Sequence, residues 1–375
     1  MKRIFLPCFA ILLLALTAGA QNIAPTELAA FLAGRTLPLT SPLAPLQQSE
    51  EYREHARQYA AQWFRYREMY FDPMRAWSAT ELVPRIGASS QVTYLFAGPD
   101  LISTLGLFPT AKLYALGGLE PVGQLTNPLS LTPEELYASL AVLRKSTEVI
   151  MNFSHFITKD MKTELAASHF QGVFPIMLVF LSFTDASIES AERLTLRRDG
   201  SLGSGDTRDG QPALRIVFRP GEGQPAAEAF YFQANVTDSA LQTNGAILDW
   251  LAARGPATGY LKAASYLLHE ESFSRGRDFL LGHCRAIVQD DSGIPLSAFR
   301  ARDWQVMFFG HYTTPLDIFA KYNQAELRRV YGAGGGFPLP FGFGYRWQKG
   351  ASTLLLALPP GEAPRALPAP MDAPR

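Results

Sequence analysis

The sequence predicts a mixed α/β fold, with a partly parallel sheet, flanking helices and a β-meander segment. Three observations carry this. The run YLFAGPDLISTLGLFPTAKLYALGGLEPVG (94–123) reads as strand, helix and strand within one short stretch, a βαβ unit that makes its strands parallel. Long segments at 47–70 and 132–168 carry apolar residues at helical spacing. From residue 191 the texture changes to short alternating runs divided by Gly, Pro and Asp.

Residues 1–20 read as a signal peptide. Lys2 and Arg3 form a charged start, Ile4 to Leu16 a short apolar core, and Ala18-Gly19-Ala20 a cleavage site. The core is shorter than the roughly 20 residues a membrane-spanning helix needs. The expected location is therefore periplasmic or secreted, with no transmembrane segment after cleavage. Residues 21–46, rich in Pro, Leu, Ala and Thr, read as an extended arm. In 47–70, Tyr52, Ala56, Tyr59, Trp63, Tyr66 and Tyr70 recur at spacings of three and four, which places an aromatic stripe on one helix face as core.

QVTYLFAG (91–98) and AKLYALGG (111–118) read as buried strands, and DLISTLGLF (100–108) as a helix with Asp100 as its N-cap. The 132–168 helix opens with a capping box, Thr132 and Glu135, and Pro133 at its first position. VFPIMLVFLSF fits either a buried strand or a buried helix. Residues 191–235 read as the meander, with 201–211 a hairpin loop. Residues 239–254 and 259–284 read as mainly helical, 286–295 as a strand running into an acidic turn, 304–312 as a strand and 317–331 as a helix. Residues 338–347 and 352–359 suggest a closing hairpin. The whole of 47–358 reads as one α/β domain, and 359–375 as a disordered Pro/Ala-rich tail.

Charge excludes some functions. Lys and Arg number 34, as do Asp and Glu; loss of the leader leaves 32 against 34. A net charge of −2 gives no footprint for nucleic acid or an anionic membrane. Cys8 lies in the leader, so Cys284 alone remains, which excludes an internal disulfide and Cys-based metal motifs.

Two apolar runs each stop at an acid, Asp100 after Gly98-Pro99 and Glu120 after Gly117-Gly118-Leu119. In doubly wound sheets ligands bind beyond the carboxyl ends of the strands, and an acid closing the second strand often holds a ribose. The G-x-G-x-x-G fingerprint is absent. The alternative is turn chemistry: Asp100 as a cap and Glu120 before Pro121. In QDDSGIP (289–295), Asp290 and Asp291 form a carboxylate pair suited to acid–base work if their environments differ; otherwise they belong to a solvent turn. On a helix, Lys262, Ser265, Tyr266 and His269 share one face. The six histidines show no close ligand spacing. The cluster Ser154, His155, Lys159 and Asp160 is also polar, and GSGDTRDG (203–210) reads as a loop.

YLFAGPD, GLEPVG, LKAASYLLH, QDDSGIP and FGFGYRW together resemble a family of bacterial exported proteins over most of the mature chain. The resemblance implies one compact unit and carries no activity, cofactor or oligomeric state. The first expectation is an acid–base or hydrolytic enzyme acting on an envelope or external small molecule. Its cleft would be lined by Asp100, Glu120 and one of Asp290 or Asp291, with Lys262 and His269 nearby. The alternative is a non-enzymatic binding protein for a ligand or a partner, with the aromatic helix carrying a partner contact.

Overall fold

A computed structural model describes residues 23–153, 168–204 and 210–361. Residues 1–22, with the expected signal peptide, the Ser154, His155, Lys159 and Asp160 cluster, residues 205–209 of the glycine-rich loop, and residues 362–375 lie outside the described residues.

Ten strands form one sheet: β1 (Gln91–Tyr94), β2 (Leu113–Gly118), β3 (Ser187–Arg197), β4 (Leu202–Gly203), β5 (Gly210–Arg219), β6 (Ala227–Gln233), β7 (Ala257–Leu261), β8 (Cys284–Gln289), β9 (Gln305–Gly310) and β10 (Thr353–Leu358). Their spatial order is β4-β3-β5-β6-β2-β1-β7-β8-β10-β9. The five central strands, β6 through β8, are parallel. The meander β3-β5-β6 is antiparallel, and β10 runs antiparallel between β8 and β9. The mixed, partly parallel sheet read from the sequence is therefore the architecture. The meander shares β6 with the parallel centre.

The chain steps from β1 through β2 to β6 on one side, then returns to β7 and β8 on the other. The winding direction thus reverses between β1 and β7. Alternate residues of the strands feed two cores: Tyr114 and Leu116 pack on one face with Phe180 and Tyr59, while Ala115 and Ile287 face Trp250 and Phe299.

The aromatic stripe packs inward as expected: Tyr52, Tyr59, Tyr66 and Tyr70 are buried. That helix, Glu50–Tyr66, continues to Ile86 through two π-helical stretches, Arg67–Phe71 and Ser78–Leu82. The Thr132–Glu135 capping box forms, and its helix runs over Pro133–Phe153 within the described residues. The ambiguous run is a helix, Val173–Phe183, with Pro175 in its first turn.

Four expectations need correction. The arm read over 21–46 is not extended across its described residues, 23–46: Pro25–Leu32 is helical, with Pro25 in its first turn and Glu27 at the favourable end of its dipole, and it packs on the helix Val173–Phe183. Residues 259–284 are helical only from Ser274 to His283; they begin in β7 and continue as an irregular loop. The 317–331 helix is divided at Asn323-Gln324 into a 3-10 segment and Ala325–Gly332. The closing hairpin is absent among the described residues, because β10 inserts between β8 and β9 while 338–347 stays irregular. No helix among the described residues is long and apolar enough to cross a membrane.

Candidate functional site

β1 ends at Tyr94 and turns through Leu95–Pro99 before the helix Leu101–Leu107. Asp100 caps that helix: its Oδ1 accepts the Ser103 N–H at 3.2 Å and its Oδ2 the Ser103 hydroxyl at 2.7 Å. The same Oδ2 lies 2.5 Å from Lys262 Nζ, just past the end of β7. Asp100 and Lys262 are only 5% and 4% exposed. Such a pair is held by geometry: removing either partner would leave a charge buried without compensation.

Glu120 follows β2 and is equally buried. Its Oε2 accepts from the Tyr231 hydroxyl at 3.2 Å, and its backbone carbonyl accepts from the same hydroxyl at 2.9 Å. The glycines before it have a steric reason. A Cβ on Gly118 would sit 2.4 Å from Glu120 Oε2 and 3.1 Å from the Gly98 Cα, so two backbones approach there as the glycine density suggested.

Asp100, Glu120 and Lys262 line one cavity of about 310 Å³. It opens beyond the carboxyl ends of β1, β2, β6 and β7, where the winding reverses, the position at which open α/β sheets bind ligands. Its walls are apolar, with Phe96, Ile150, Val236 and Phe273 among them, and Leu119 half-exposed at the rim. Asn235 and Thr237 also line it. They follow β6, and the strand-end rule that singled out Asp100 and Glu120, applied to FQANVT, would have found them.

No family model, curated protein or solved structure matches the chain.

Asp290, Asp291 and His269 do not line this cavity. They form a second polar cluster behind the wall made by Ala263, Ala264 and Ser265. The QDDSGIP turn is not a solvent turn: Asp290 is 1% and Asp291 7% exposed. Asp290 Oδ1 accepts the Ser292 hydroxyl at 2.5 Å and its N–H at 3.1 Å, and Oδ2 accepts the Ala263 N–H at 3.1 Å. Asp291 accepts the Tyr266 hydroxyl at 2.6 Å. Burial raises both carboxyls above the ordinary range, partly opposed for Asp290 by its donors. For Asp291, burial and then the neighbouring Asp290 charge lift it to about 7, against the pull of Tyr266. The environments of the two acids thus differ, as acid–base work would require, but they face inward. His269 packs edge-on to Tyr266 and Tyr322, and burial holds it neutral, down to about 4.

The shared helical face of Lys262, Ser265, Tyr266 and His269 does not exist. Ala263, Ser265 and Tyr266 take left-handed backbone, with φ of 51°, 55° and 56°. L-residues carry a penalty of about 1–2 kcal/mol each in that region. Three such residues among four are held because nearly every backbone group around them is engaged. The Lys262 carbonyl accepts from Tyr94 Oη at 2.7 Å, and the Ala263 carbonyl from Tyr345 Oη at 3.1 Å. The Ala264 N–H donates to Ser292 Oγ at 2.7 Å, and the Tyr266 N–H to the Ser292 carbonyl at 3.1 Å. Among the described residues, no three His, Cys, Asp or Glu side chains gather as metal ligands.

Proposed function

We propose that this protein binds a small molecule in the cleft at the reversal point and does acid–base work on it. One observation carries the reading: the ends of three neighbouring parallel strands deliver Asp100, Glu120 and Lys262 to a single apolar-walled cavity. Buried charged groups are retained at an energetic cost, and their convergence on a concave site is the usual mark of a binding or catalytic centre. In this reading the apolar walls take the body of the ligand. Glu120 accepts hydrogen bonds from its hydroxyl or amino groups. Lys262, oriented by Asp100, presents a proton to an oxygen of the ligand. With residues 1–20 acting as an export signal, the substrate is an envelope or external molecule.

A second reading, binding without turnover, is favoured by the engagement of Asp100 with Ser103 and Lys262, which leaves it an orienting rather than a reacting group. The aromatic stripe supports no partner contact, since it faces the core.

Thermal unfolding against a panel of nucleosides, neutral and amino sugars and short peptides tests the proposal. At least one class should raise the melting temperature of wild type, and Glu120→Gln and Lys262→Met should lose that response. No response from any class, or an equal response in both variants, removes the cleft as a ligand site. Recovery of the bound compound unchanged after prolonged incubation selects binding over catalysis.

A further inference from the structure

The QDDS turn does something that its position behind the cavity wall does not announce. Lys262 is the last residue before the left-handed loop, and its side chain reaches Asp100 across the end of the β1–β7 pair. Whatever fixes the loop therefore fixes the direction in which Lys262 points. Two side chains of the turn grip the loop's first two N–H groups: Asp290 holds Ala263, and Ser292 holds Ala264. Asp290 and Ser292 also grip each other, through two hydrogen bonds to Oδ1. The arrangement is closed from the far side by the FGFGYRW segment. Gly344, at φ of +69°, presses its backbone onto the carboxylate, and a Cβ there would stand 2.0 Å from Asp290 Oδ2. Tyr345 then reaches over to the Ala263 carbonyl and shares a hydrogen bond with Ser265 at 2.8 Å.

We propose that Asp290 and Ser292 are positioning residues for Lys262, a latch that holds the Ala263–Tyr266 loop left-handed so that the ammonium is aimed at Asp100 in the cleft. The inference rests on reading the cleft as the functional site, but it stands on hydrogen bonds of its own. It explains why an aspartate lies almost wholly buried without touching the cavity. It also explains why the loop tolerates three strained residues with no glycine among them. An isosteric Asn at 290 has one acceptor oxygen. It must lose either the Ala263 N–H or the Ser292 pair, and turn an amide N–H₂ toward a donor.

The test needs no ligand, so it fails or succeeds separately from the proposed function. Full-length protein is treated with formaldehyde and a borane reductant, and methylation of Lys262 is followed by mass spectrometry across pH. Exposed Lys112 serves as the reactive control. The buried thiol of Cys284, at the opposite end of β8, reports general loosening through its reaction with an aromatic disulfide. Asp290→Asn and Ser292→Ala should each speed Lys262 methylation about tenfold, the change expected from easing a local opening by one charge-assisted bond. Cys284 should keep its wild-type rate. Ser292→Thr, which retains the hydroxyl, should restore protection. If Lys262 and Cys284 speed up in step, the turn is merely structural. If Lys262 keeps its wild-type rate in Ser292→Ala, the latch is refuted, and this arm decides the matter should Asp290→Asn not fold.

Discussion

Replacing Asp291 with Asn should stabilise the protein at alkaline pH and leave it unchanged in acid. The folded carboxyl is raised to about 7 from its ordinary 3.8, chiefly by burial. Between those values the unfolded chain has lost a proton that the folded chain keeps, so stability falls as pH rises through the window and is level above it. The gap of about three pH units amounts to about 4 kcal/mol at 1.36 kcal/mol per unit. Two buried histidines act in the opposite sense. His55 and His269 are both held near 4, so below about 6.5 the unfolded chain gains protons that the folded chain refuses. The wild-type pH profile mixes these effects. The difference between Asp291→Asn and wild type removes the histidines and leaves the carboxyl. Asn keeps an oxygen for the Tyr266 hydroxyl, so the contact survives. Urea unfolding at pH 4, 6 and 8 should show a difference near zero at the first and about 4 kcal/mol in favour of the variant at the last. A difference that does not change with pH would show that Asp291 is ionised throughout and that its burial is not what governs its charge.

Other expectations follow from the same geometry. Asp100→Asn should destabilise by about 3 kcal/mol by leaving the Lys262 ammonium buried alone, and adding Lys262→Met should recover most of that loss in a double-mutant cycle. Gly118→Ala should cost about 1–3 kcal/mol and abolish any ligand response, because its methyl must displace the Glu120 carboxylate. Ala263→Gly should gain about 0.5–1 kcal/mol in urea unfolding by relieving left-handed strain. It should also leave Lys262 methylation at the wild-type rate, since the Ala263 N–H bond to Asp290 does not depend on the side chain.

The parts of the site legible in the sequence are those set by local chemistry. Asp100 as a cap, β1 and β2 as a parallel pair, and Glu120 among close-packed glycines all follow from a few adjacent residues. The sequence pattern places Lys262 on a helical face that does not form. It reaches the cleft instead because β7 ends one residue before it. Nothing local marks Ala263, Ser265 and Tyr266 as left-handed: no glycine or asparagine stands there, and the conformation is imposed by Ser292 and Tyr345 from remote parts of the chain. Likewise Asp-Asp-Ser-Gly has the composition of a surface turn, and it is covered by residues distant in sequence: Tyr266, Gln324 and, some 50 residues on, the FGFGYRW segment. The helix Pro25–Leu32 carried a readable signal, Pro25 followed by Glu27, which the surrounding Pro-rich composition obscured.

The ladder partners of the sheet also set an order of assembly. Val92 on β1 pairs with Thr258 on β7, and Leu113 on β2 with Glu228 on β6. More than a hundred residues separate each pair in sequence, and the cavity lies where these distant partners meet. Closing such long loops carries the larger entropy cost, so it is expected to follow the local helices and the meander hairpins. The cleft is therefore expected among the last features to appear, and a chain cut anywhere before Cys284 lacks both the β7–β8 ladder and the latch behind it. Ligand affinity would then be a stringent reporter of complete folding, lost in partly folded forms that still retain most of the secondary structure of the native protein.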